Sequence, residues 1–458
     1  MTRRRWSGVL AVAVLAIALA GSAATDEPVV GPKTSGLENP ADLSSFFAAL
    51  SDLKAGRRTT PVVVLQIGDS QSAADYVASG VRVRMQAAFG EGGRGVMAPG
   101  VPYGGYLPRQ VEVTQSPGWR VEPSFPYVGG AFGLSGWRLT STRPGAAVTM
   151  TADPEARFDR AVVCVAASHG AGTISVAGDQ ADDAARVVDA SAAAPGAVCQ
   201  TFDFAAAQTH LTLTANGGPV TLLSFGAFRR RAGIAWSNLG VVGTELQDFA
   251  NRDDGVLTQE LAAYAPDLIV LSYGTNEGAR ADLDGGAYEA LVRTQIARLH
   301  RLAPKVSILW LGPADMNIVR PDIPEDGIHN LGLSCAPLMA DEIAAYPQLV
   351  AQRAPALARW YSPPGLAVAR EAQRRAAGAE GAAFWDWDAR VGGPCSAHRL
   401  SRPEVKLMRG DHIHFTSDGG DMVGGLLTDD LMAAYAATVK PTPAPAASDT
   451  PPSSAPGS

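Results

Sequence analysis

Short runs of apolar residues recur along the chain with the pattern of strands that are buried on both faces of a sheet. Residues 62–67 read VVVLQI, and residues 267–273, 306–311 and 382–387 form further, mostly apolar runs. Runs of this length are typical of parallel sheets covered by helices on both sides. We therefore predict that these four segments are strands of one sheet.

Between these runs, apolar residues recur at the three- and four-residue spacing of helices that pack one face against a core. The predicted helices span residues 41–53, 75–89, 287–302, 366–377 and 418–437. Strands and helices that alternate in this way predict an α/β fold with a mainly parallel sheet and right-handed crossovers.

The pattern changes between about residues 106 and 231, where short alternating runs are separated by Gly, Pro, Asp and Asn. The predicted strands are 147–151, 161–165, 173–176, 210–214 and 220–225. Several short strands at close spacing predict a β-sandwich inserted into the α/β domain. Its aromatic residues either pack in a core, which is the commoner use of such rings, or form a sugar-stacking surface. They are Trp119, Phe125, Tyr127, Phe132 and Trp137.

The two ends of the chain differ in composition from the rest. Residues 1–24 carry arginines, then an apolar stretch, then small residues, which predicts a cleaved signal peptide rather than an uncleaved anchor helix. The last residues are mainly Pro, Ala, Ser and Thr, and we predict that they are disordered. The domain assignment is signal peptide 1–24, tether 25–40, α/β domain 41–105 and 234–437, inserted β-sandwich 106–233, and disordered tail 438–458.

Charge and cysteine content restrict the partners and the compartment. The formal net charge of -7 provides no basic surface for nucleic acid, but it does not exclude neutral or acidic glycans. We expect a periplasmic or extracellular protein with no membrane association after signal cleavage.

Four cysteines in an exported protein suggest disulfides, and neighbours in sequence would pair as Cys164–Cys199 and Cys335–Cys395. Four free thiols are the alternative.

Polar residues suited to acyl transfer occur at the predicted strand ends and in the loops beside them. Ser70 follows the first buried strand, Asn276 follows the second, and Asp411 and His414 share the loop before the last helix. Ser70 would be the nucleophile, His414 the base and then the acid, and Asp411 the group that orients His414. The oxyanion would be bound by the backbone N–H groups of Ser70 and Gly243 and by the Asn276 side chain.

These roles have alternatives. Ser70 could belong to a helix cap, Asn276 could be a turn residue, and Gly240 could take the place of Gly243. His412 is a competing base. It could also form a metal site with neighbouring groups, although no second cluster of His or Cys supports such a site. The neighbouring groups are Asp411, His414, Asp418 and Asp421.

The motifs, taken in chain order, resemble those of the SGNH, or GDSL-type, hydrolase superfamily. They are GDS at Ser70, the glycines near Gly243, GTNE at Asn276 and the D-x-x-H that ends at His414. The strings YGTNE, DHIHFT and FGEGGRG, together with the β insert, are similar to peptidoglycan O-acetylesterases of that superfamily. The resemblance implies a flavodoxin-like three-layer α/β/α fold, a Ser-His-Asp triad, no metal, no cofactor and a carbohydrate-binding-like insert.

The resulting hypothesis is an exported serine esterase that removes O-acetyl groups from a glycan, above all peptidoglycan, through an acetyl-enzyme. A glycan O-acetyltransferase with the same triad and a non-catalytic glycan-binding protein are the alternatives, and we expect a monomer. Two positions depart from the relatives: Gln71 stands where His is frequent, and Gly278 stands where Ala is frequent.

Overall fold

The computed structural model describes residues 33–438, except for 127–128, 142, 180–185, 324–329 and 331. The predicted signal peptide, residues 25–32 of the predicted tether and the tail from residue 439 lie outside the described residues. Within the described ranges, no helix has both the length and the apolar character that a membrane crossing requires.

The elements follow the order that the sequence pattern predicts, and their bounds lie close to the predicted ones. The described strands are β1 (Leu37–Glu38), β2 (Pro61–Gly68), β3 (Gly95–Met97), β4 (Val111–Gln115), β5 (Trp119–Pro123), β6 (Trp137–Ser141), β7 (Ala147–Ala152), β8 (Phe158–Ala167), β9 (Thr173–Ala177), β10 (Arg186–Asp189), β11 (Gly196–Gln208), β12 (His210–Asn216), β13 (Val220–Phe228), β14 (Gly233–Gly240), β15 (Leu268–Ser272), β16 (Ser307–Leu311) and β17 (Ala383–Trp385). The described helices are α1 (Ser44–Lys54), α2 (Ser70–Ala73), α3 (Tyr76–Phe89), α4 (Leu246–Ala250), α5 (Asp254–Tyr264), α6 (Thr275–Gly278), α7 (Gly285–Leu302), α8 (Ala340–Ala344), α9 (Tyr346–Ala351), α10 (Pro364–Ala379), α11 (Trp387–Val391), α12 (Ser396–Ser401) and α13 (Ser417–Thr438).

The central sheet has the strand order β1-β17-β16-β15-β2-β14, and all of its neighbours are parallel except β1 and β17. The first parallel strand in the chain, β2, therefore lies between the second, β14, and the third, β15. This is the doubly wound order of flavodoxin-like folds, in which ligands bind where the strand order reverses. In this chain the reversal lies between β2 and β15.

Helices cover both faces of this sheet because the apolar side chains of its strands alternate between two cores. Val62 and Val64 belong to the core formed with α1, α3 and α13. Val63 and Leu65 belong to the core formed with α5, α7 and α10. The resulting three-layer α/β/α arrangement confirms the predicted fold class.

The predicted β-sandwich consists of two antiparallel sheets. One has the order β10-β9-β12-β7-β4, and the other has the order β11-β8-β13-β6-β5, with β3 paired to β13. Their facing side chains, such as Met150, Leu213 and Phe225, form a separate apolar core. Strand β3 lies before residue 106, so the sandwich recruits a strand from the segment assigned to the α/β domain.

The sandwich shares a further core with the α/β layers. Helix α5 packs against the sheet that contains β8, β11 and β13. Val162 and Leu223 of that sheet belong to the same buried cluster as Leu261 of α5. The apolar interior is therefore continuous from the central sheet into the sandwich.

A buried ionic cluster also connects the two parts. The Asp75 carboxylate accepts hydrogen bonds from Arg82 at 3.0 Å, from Arg94 at 2.9 Å and from the backbone N–H of Arg109 at 2.8 Å. Burial alone would raise the pKa of Asp75, but the two guanidinium groups outweigh it and lower the pKa. Asp75 thus joins the start of α3 to the first residues of the predicted insert.

The predicted tether needs correction. The tether assigned to residues 25–40 is not a tether at its end, because Leu37 and Glu38 pair with β17 as the edge strand of the central sheet. Among the aromatic residues of the insert, Phe132 and Trp137 are buried, as the commoner use of such rings predicts, whereas Phe125 is 42% exposed. Trp119 is half-buried beside the sandwich core, and Tyr127 lies outside the described residues.

Both predicted disulfides are present. Cys164 and Cys199 occupy directly paired positions of β8 and β11, and their sulfur atoms are bonded. Cys335 is bonded to Cys395, which precedes α12. The second bridge joins part of the loop-rich region after β16 to the start of α12. Helix α12 supports the loop that carries Asp411 and His414.

Candidate active site

Ser70 lies at the reversal point of the strand order because β2 ends there in a sharp turn. Gly68 pairs with Ser272 of β15, and a Cβ at Gly68 would lie 2.3 Å from the Ser272 carbonyl oxygen. Only glycine fits this close approach. Asp69 caps α2 by accepting a hydrogen bond from the Gln71 N–H at 2.9 Å. The capping role thus belongs to Asp69, and the hydroxyl of Ser70 is available for other contacts.

The structure brings together three of the residues predicted to carry the chemistry. His414 Nε2 lies 2.9 Å from Ser70 Oγ, and His414 Nδ1 lies 2.8 Å from Asp411 Oδ2. The other carboxylate oxygen of Asp411 accepts hydrogen bonds from the backbone N–H groups of Ile413 and His414. This continuous chain of hydrogen bonds has the geometry of a nucleophile, its base and the group that orients the base.

The protonation of Asp411 follows from these contacts. Partial burial raises the pKa of Asp411, but the hydrogen bonds from the His414 ring and from the backbone N–H groups of His414 and Ile413 outweigh it and lower the pKa to about 2. The carboxylate can therefore only accept from His414 Nδ1 at neutral pH. Nδ1 then carries the hydrogen, and Nε2 has a free lone pair directed at Ser70.

Buried contacts fix the loop that carries Asp411 and His414. The Gln71 side chain donates to the Ile413 carbonyl at 2.6 Å, and the Asn317 backbone N–H donates to the His412 carbonyl at 3.0 Å. The fully buried His412 ring packs edge-on against Trp360 at 3.9 Å between centroids. His412, the competing base, therefore supports the loop from the protein interior, and His414 is the histidine that reaches Ser70.

The contacts of Asn317 extend to a buried carboxyl group that the sequence pattern did not reveal. Asp315 accepts hydrogen bonds from the Ser362 hydroxyl, from the Asn317 side chain at 3.0 Å and from the Ala397 backbone N–H at 3.1 Å. Burial, and then repulsion from Asp388, raise the pKa of Asp315 to about 7. Asp315 holds together the segment after β16, the segment before α10 and helix α12.

The three predicted oxyanion donors follow adjacent parallel strands. Asn276 is in the first turn of α6 after β15, and its side-chain amide donates to the Thr244 carbonyl at 2.8 Å. One N–H of that amide is left for a ligand. Gly243 follows β14 and has a φ of +79°, a left-handed conformation that favours glycine. Gly240 has a packing role instead, because a Cβ there would lie 2.1 Å from the Ala73 nitrogen.

Glu277 is a further residue of this region to which the sequence pattern assigned no role. Its buried carboxyl group accepts hydrogen bonds from the Leu246 N–H at 2.7 Å and from the Gly274 N–H at 3.0 Å. Burial raises the pKa of Glu277 to about 7. Glu277 thus links the segment after Gly243 to the turn that carries Asn276. Its place in the GTNE string, next to Asn276, was the only sequence signal.

The metal-site alternative is not assembled in this part of the fold. Asp421 pairs with Arg84 at 2.7 Å, and His412 is enclosed by aromatic rings. Across the residues that the structure describes, no group of three His, Cys, Asp or Glu side chains is placed to hold a metal ion.

A cavity of about 540 Å³ opens over Ser70 and His414. Its walls are mainly apolar or aromatic, and the lining residues also include one arginine, Arg409. The apolar and aromatic lining residues are Tyr76, Val77, Tyr103, Leu107, Val242 and Phe415. The exposed ring of Phe125 extends this surface, since a Cβ built on Gly243 would lie 3.4 Å from its Cε1 atom.

The two departures from the relatives have local explanations. Gln71 replaces a frequent histidine with a side chain that hydrogen-bonds to the Ile413 carbonyl. Gly278 lies so close to α10 that a Cβ would be 2.8 Å from the Leu366 Cα atom. An alanine at this position would therefore require α10 to shift.

Comparisons with known proteins agree with this architecture. Residues 213–421 match the model of the GDSL-like Lipase/Acylhydrolase family. This range contains Asn276, Asp411 and His414, whereas Ser70 precedes it on the far side of most of the insert. No curated protein sequence matches the chain.

Among solved structures, the chain is similar to "Peptidoglycan O-acetylesterase in action, 5 min", with a TM-score of 0.69 and 22% identity over 88% of this chain and 99% of that chain. It also matches a family two carbohydrate esterase from Cellvibrio japonicus, with 14% identity and a TM-score of 0.22 over 71% and 98% of the chains. An acetyl xylan esterase matches with 16% identity and a TM-score of 0.27 over 43% and 80%. The SGNH hydrolase fold predicted from the sequence is confirmed.

Proposed function

We propose that this chain, which carries a domain of the GDSL-like lipase and acylhydrolase family, is an exported serine esterase that removes O-acetyl groups from a glycan. The single observation that carries the proposal is the continuous hydrogen-bond chain from Asp411 through His414 to Ser70. The apolar cavity over Ser70 has room for an acetylated sugar and supports a substrate of this size.

The acylation step follows from these contacts. Ser70 Oγ attacks the acetyl carbonyl carbon while His414 Nε2 takes the hydroxyl proton, and Asp411 stabilises the imidazolium that forms. The negative charge on the carbonyl oxygen is bound by the N–H groups of Ser70 and Gly243 and by the Asn276 amide. His414 then gives its proton to the departing sugar oxygen. The products of this step are the free sugar hydroxyl and an acetyl-enzyme on Ser70.

Deacylation repeats the same steps with water as the nucleophile. His414 takes a proton from the water as its oxygen attacks the acetyl-enzyme, and it returns the proton to Ser70 Oγ as acetate leaves. A sugar hydroxyl in the place of water would make the enzyme an acetyltransferase. Product analysis distinguishes the two, because the esterase lowers the total ester content and the transferase keeps it constant.

We propose peptidoglycan as the glycan and the periplasm or the cell exterior as the compartment. The similarity in fold to a peptidoglycan O-acetylesterase supports the first proposal. The two disulfides support the second, since such bonds persist in oxidising compartments outside the cytoplasm.

The test is acetate release from O-acetylated peptidoglycan and from acetylated xylan by the purified wild-type protein and by Ser70→Ala. We expect faster release from peptidoglycan and a loss of about 10⁴-fold or more in kcat for the variant, because the nucleophile is removed. Equal acetate release by Ser70→Ala and wild type would refute the serine mechanism. Faster release from xylan would refute the proposed substrate and leave the mechanism intact.

A further inference from the structure

Arg409 is a cationic residue among those that line the cavity over Ser70. The residue is exposed and lines the cavity together with Ser70 and His414. Within the described part of the chain, its guanidinium group makes no hydrogen bond and no ion pair. A charged group in this position is available to a ligand.

The backbone of Arg409 is nevertheless held in place. Its N–H donates to the His414 carbonyl at 2.8 Å, and its carbonyl accepts from the His412 N–H at 3.1 Å and from the Ser401 hydroxyl at 2.8 Å. The base of the side chain is therefore fixed relative to the proposed catalytic histidine. The guanidinium group extends from a rigid support, so the loss of conformational entropy on binding falls mainly on the side chain.

No carboxylate among the described lining residues neutralises this cation. Two of the carboxylates near the cavity are used elsewhere: Asp411 accepts three N–H groups of its own loop, and Asp75 is buried between Arg82 and Arg94. The lining residues thus include one arginine and no carboxylate in a chain whose formal net charge is -7. Such a site attracts an anionic ligand and favours bidentate binding of a carboxylate to the guanidinium.

We propose that Arg409 binds a carboxylate of the substrate, so that the enzyme acts on acetylated glycans that carry carboxylate groups and discriminates against neutral ones. The inference rests on the proposed esterase function, and it specifies the chemical class of the substrate. Peptidoglycan belongs to this class because its peptides, and any lactyl groups without a peptide, carry free carboxylates, whereas acetylated xylan without uronic acid side groups does not.

The experiment compares two matched substrates, O-acetylated peptidoglycan and the same material after its carboxylates have been converted to amides. The variants are Arg409→Gln, Arg409→Lys and the control Lys406→Gln. Lys406 is an exposed cation on the same segment that does not line the cavity, so this control removes the same charge elsewhere. The measured quantity is the ratio of kcat/KM for the carboxylate form to kcat/KM for the amide form.

We expect the wild type to prefer the carboxylate form, and we expect Arg409→Gln to lower this ratio by about tenfold or more, mainly through KM. Arg409→Lys should retain part of the preference, because the charge remains and the bidentate geometry is lost. The preference of the wild type should weaken as salt is added, since the contact is partly exposed. Lys406→Gln should behave like the wild type.

Two results would overturn the inference. One is an equal rate of the wild type on the two forms, and the other is a ratio that Arg409→Gln leaves unchanged. Turnover of p-nitrophenyl acetate, which lacks a carboxylate, is measured in parallel to separate the two proposals. If the wild type hydrolyses this ester and Ser70→Ala does not, the serine mechanism holds and only the substrate inference has failed.

Discussion

Substitution of Asp411 by Asn tests whether the hydrogen-bond chain at Ser70 is catalytic. The Asp411 carboxylate accepts from His414 Nδ1 at 2.8 Å, and its other oxygen accepts two backbone N–H groups. An asparagine can keep the backbone contacts with its oxygen, but its amide N–H groups then face Nδ1. The imidazole would turn to the tautomer with hydrogen on Nε2, which cannot take the proton of Ser70.

The size of the effect can be worked out from the contacts that change. The lost charge-assisted hydrogen bond contributes about 1.5–3 kcal/mol, and the opposing donor adds about 1–2 kcal/mol of preference for the wrong tautomer. A total of about 2.5–5 kcal/mol in the transition state corresponds to a loss of about 10²–10⁴-fold in kcat. Ser70 bonds the other ring nitrogen of His414, Nε2, and not the changed pair, so we expect KM to change little.

The assay is hydrolysis of p-nitrophenyl acetate at neutral pH, where the low pKa of Asp411 keeps its carboxylate ionised in the wild type. Asp418→Asn is the matched control, because Asp418 is an exposed carboxylate near the same loop at the start of α13. Thermal unfolding of both variants checks that the fold is retained. A folded Asp411→Asn enzyme with less than a tenfold loss of kcat would refute the assigned role.

Two further predictions concern the oxyanion donors and the buried carboxyl group of Asp315. Asn276→Ala should lower kcat/KM for p-nitrophenyl acetate by about 10²–10³-fold because one oxyanion donor is lost, and a loss below fivefold would exclude Asn276 from that role. The pKa of Asp315 rises from 3.8 to about 7 on folding. Protonation of Asp315 in the folded state therefore stabilises the protein below about pH 4, and this stabilisation is lost as the pH rises through about 7. This stabilisation amounts to about 4 kcal/mol. Asp315→Asn should therefore reduce the fall in the free energy of unfolding between pH 4 and pH 7. The measurement is denaturant unfolding at several pH values. An unchanged pH profile would show that Asp315 does not titrate in this range.

The sequence predicts the central sheet and the grouping of site residues because both depend on local patterns. The apolar runs that end at Gly68 and Ser272 mark parallel strands, and the carboxyl ends of parallel strands meet at one edge of a sheet. Ser70 and Asn276 follow these ends directly. The D-x-x-H spacing similarly allows Asp411 to reach His414 within a single loop.

The missed elements depend on partners that are distant in the chain. Strand β14 contains the polar residues Ser237 and Asn238, which suggest an exposed segment, yet both are buried. Their burial is possible because Ser237 Oγ accepts a hydrogen bond from the Val96 N–H. The Asn238 side chain donates one to the Ser72 carbonyl. The edge strand β1 has only two residues and exists because β17 pairs with it. The support of the Asp411–His414 loop by Asn317 arises in a loop-rich region without apolar periodicity.

The continuous interior between the α/β layers and the sandwich has a consequence for protein engineering. A protein trimmed to the two α/β segments would expose the apolar face of α5, and it would also lose the backbone N–H of Arg109 that donates to Asp75. The sandwich is therefore not an appendage that can be deleted or exchanged by cutting at residues 106 and 233. A chimera that keeps esterase activity should inherit α3, α5, β3 and the sandwich from the same parent.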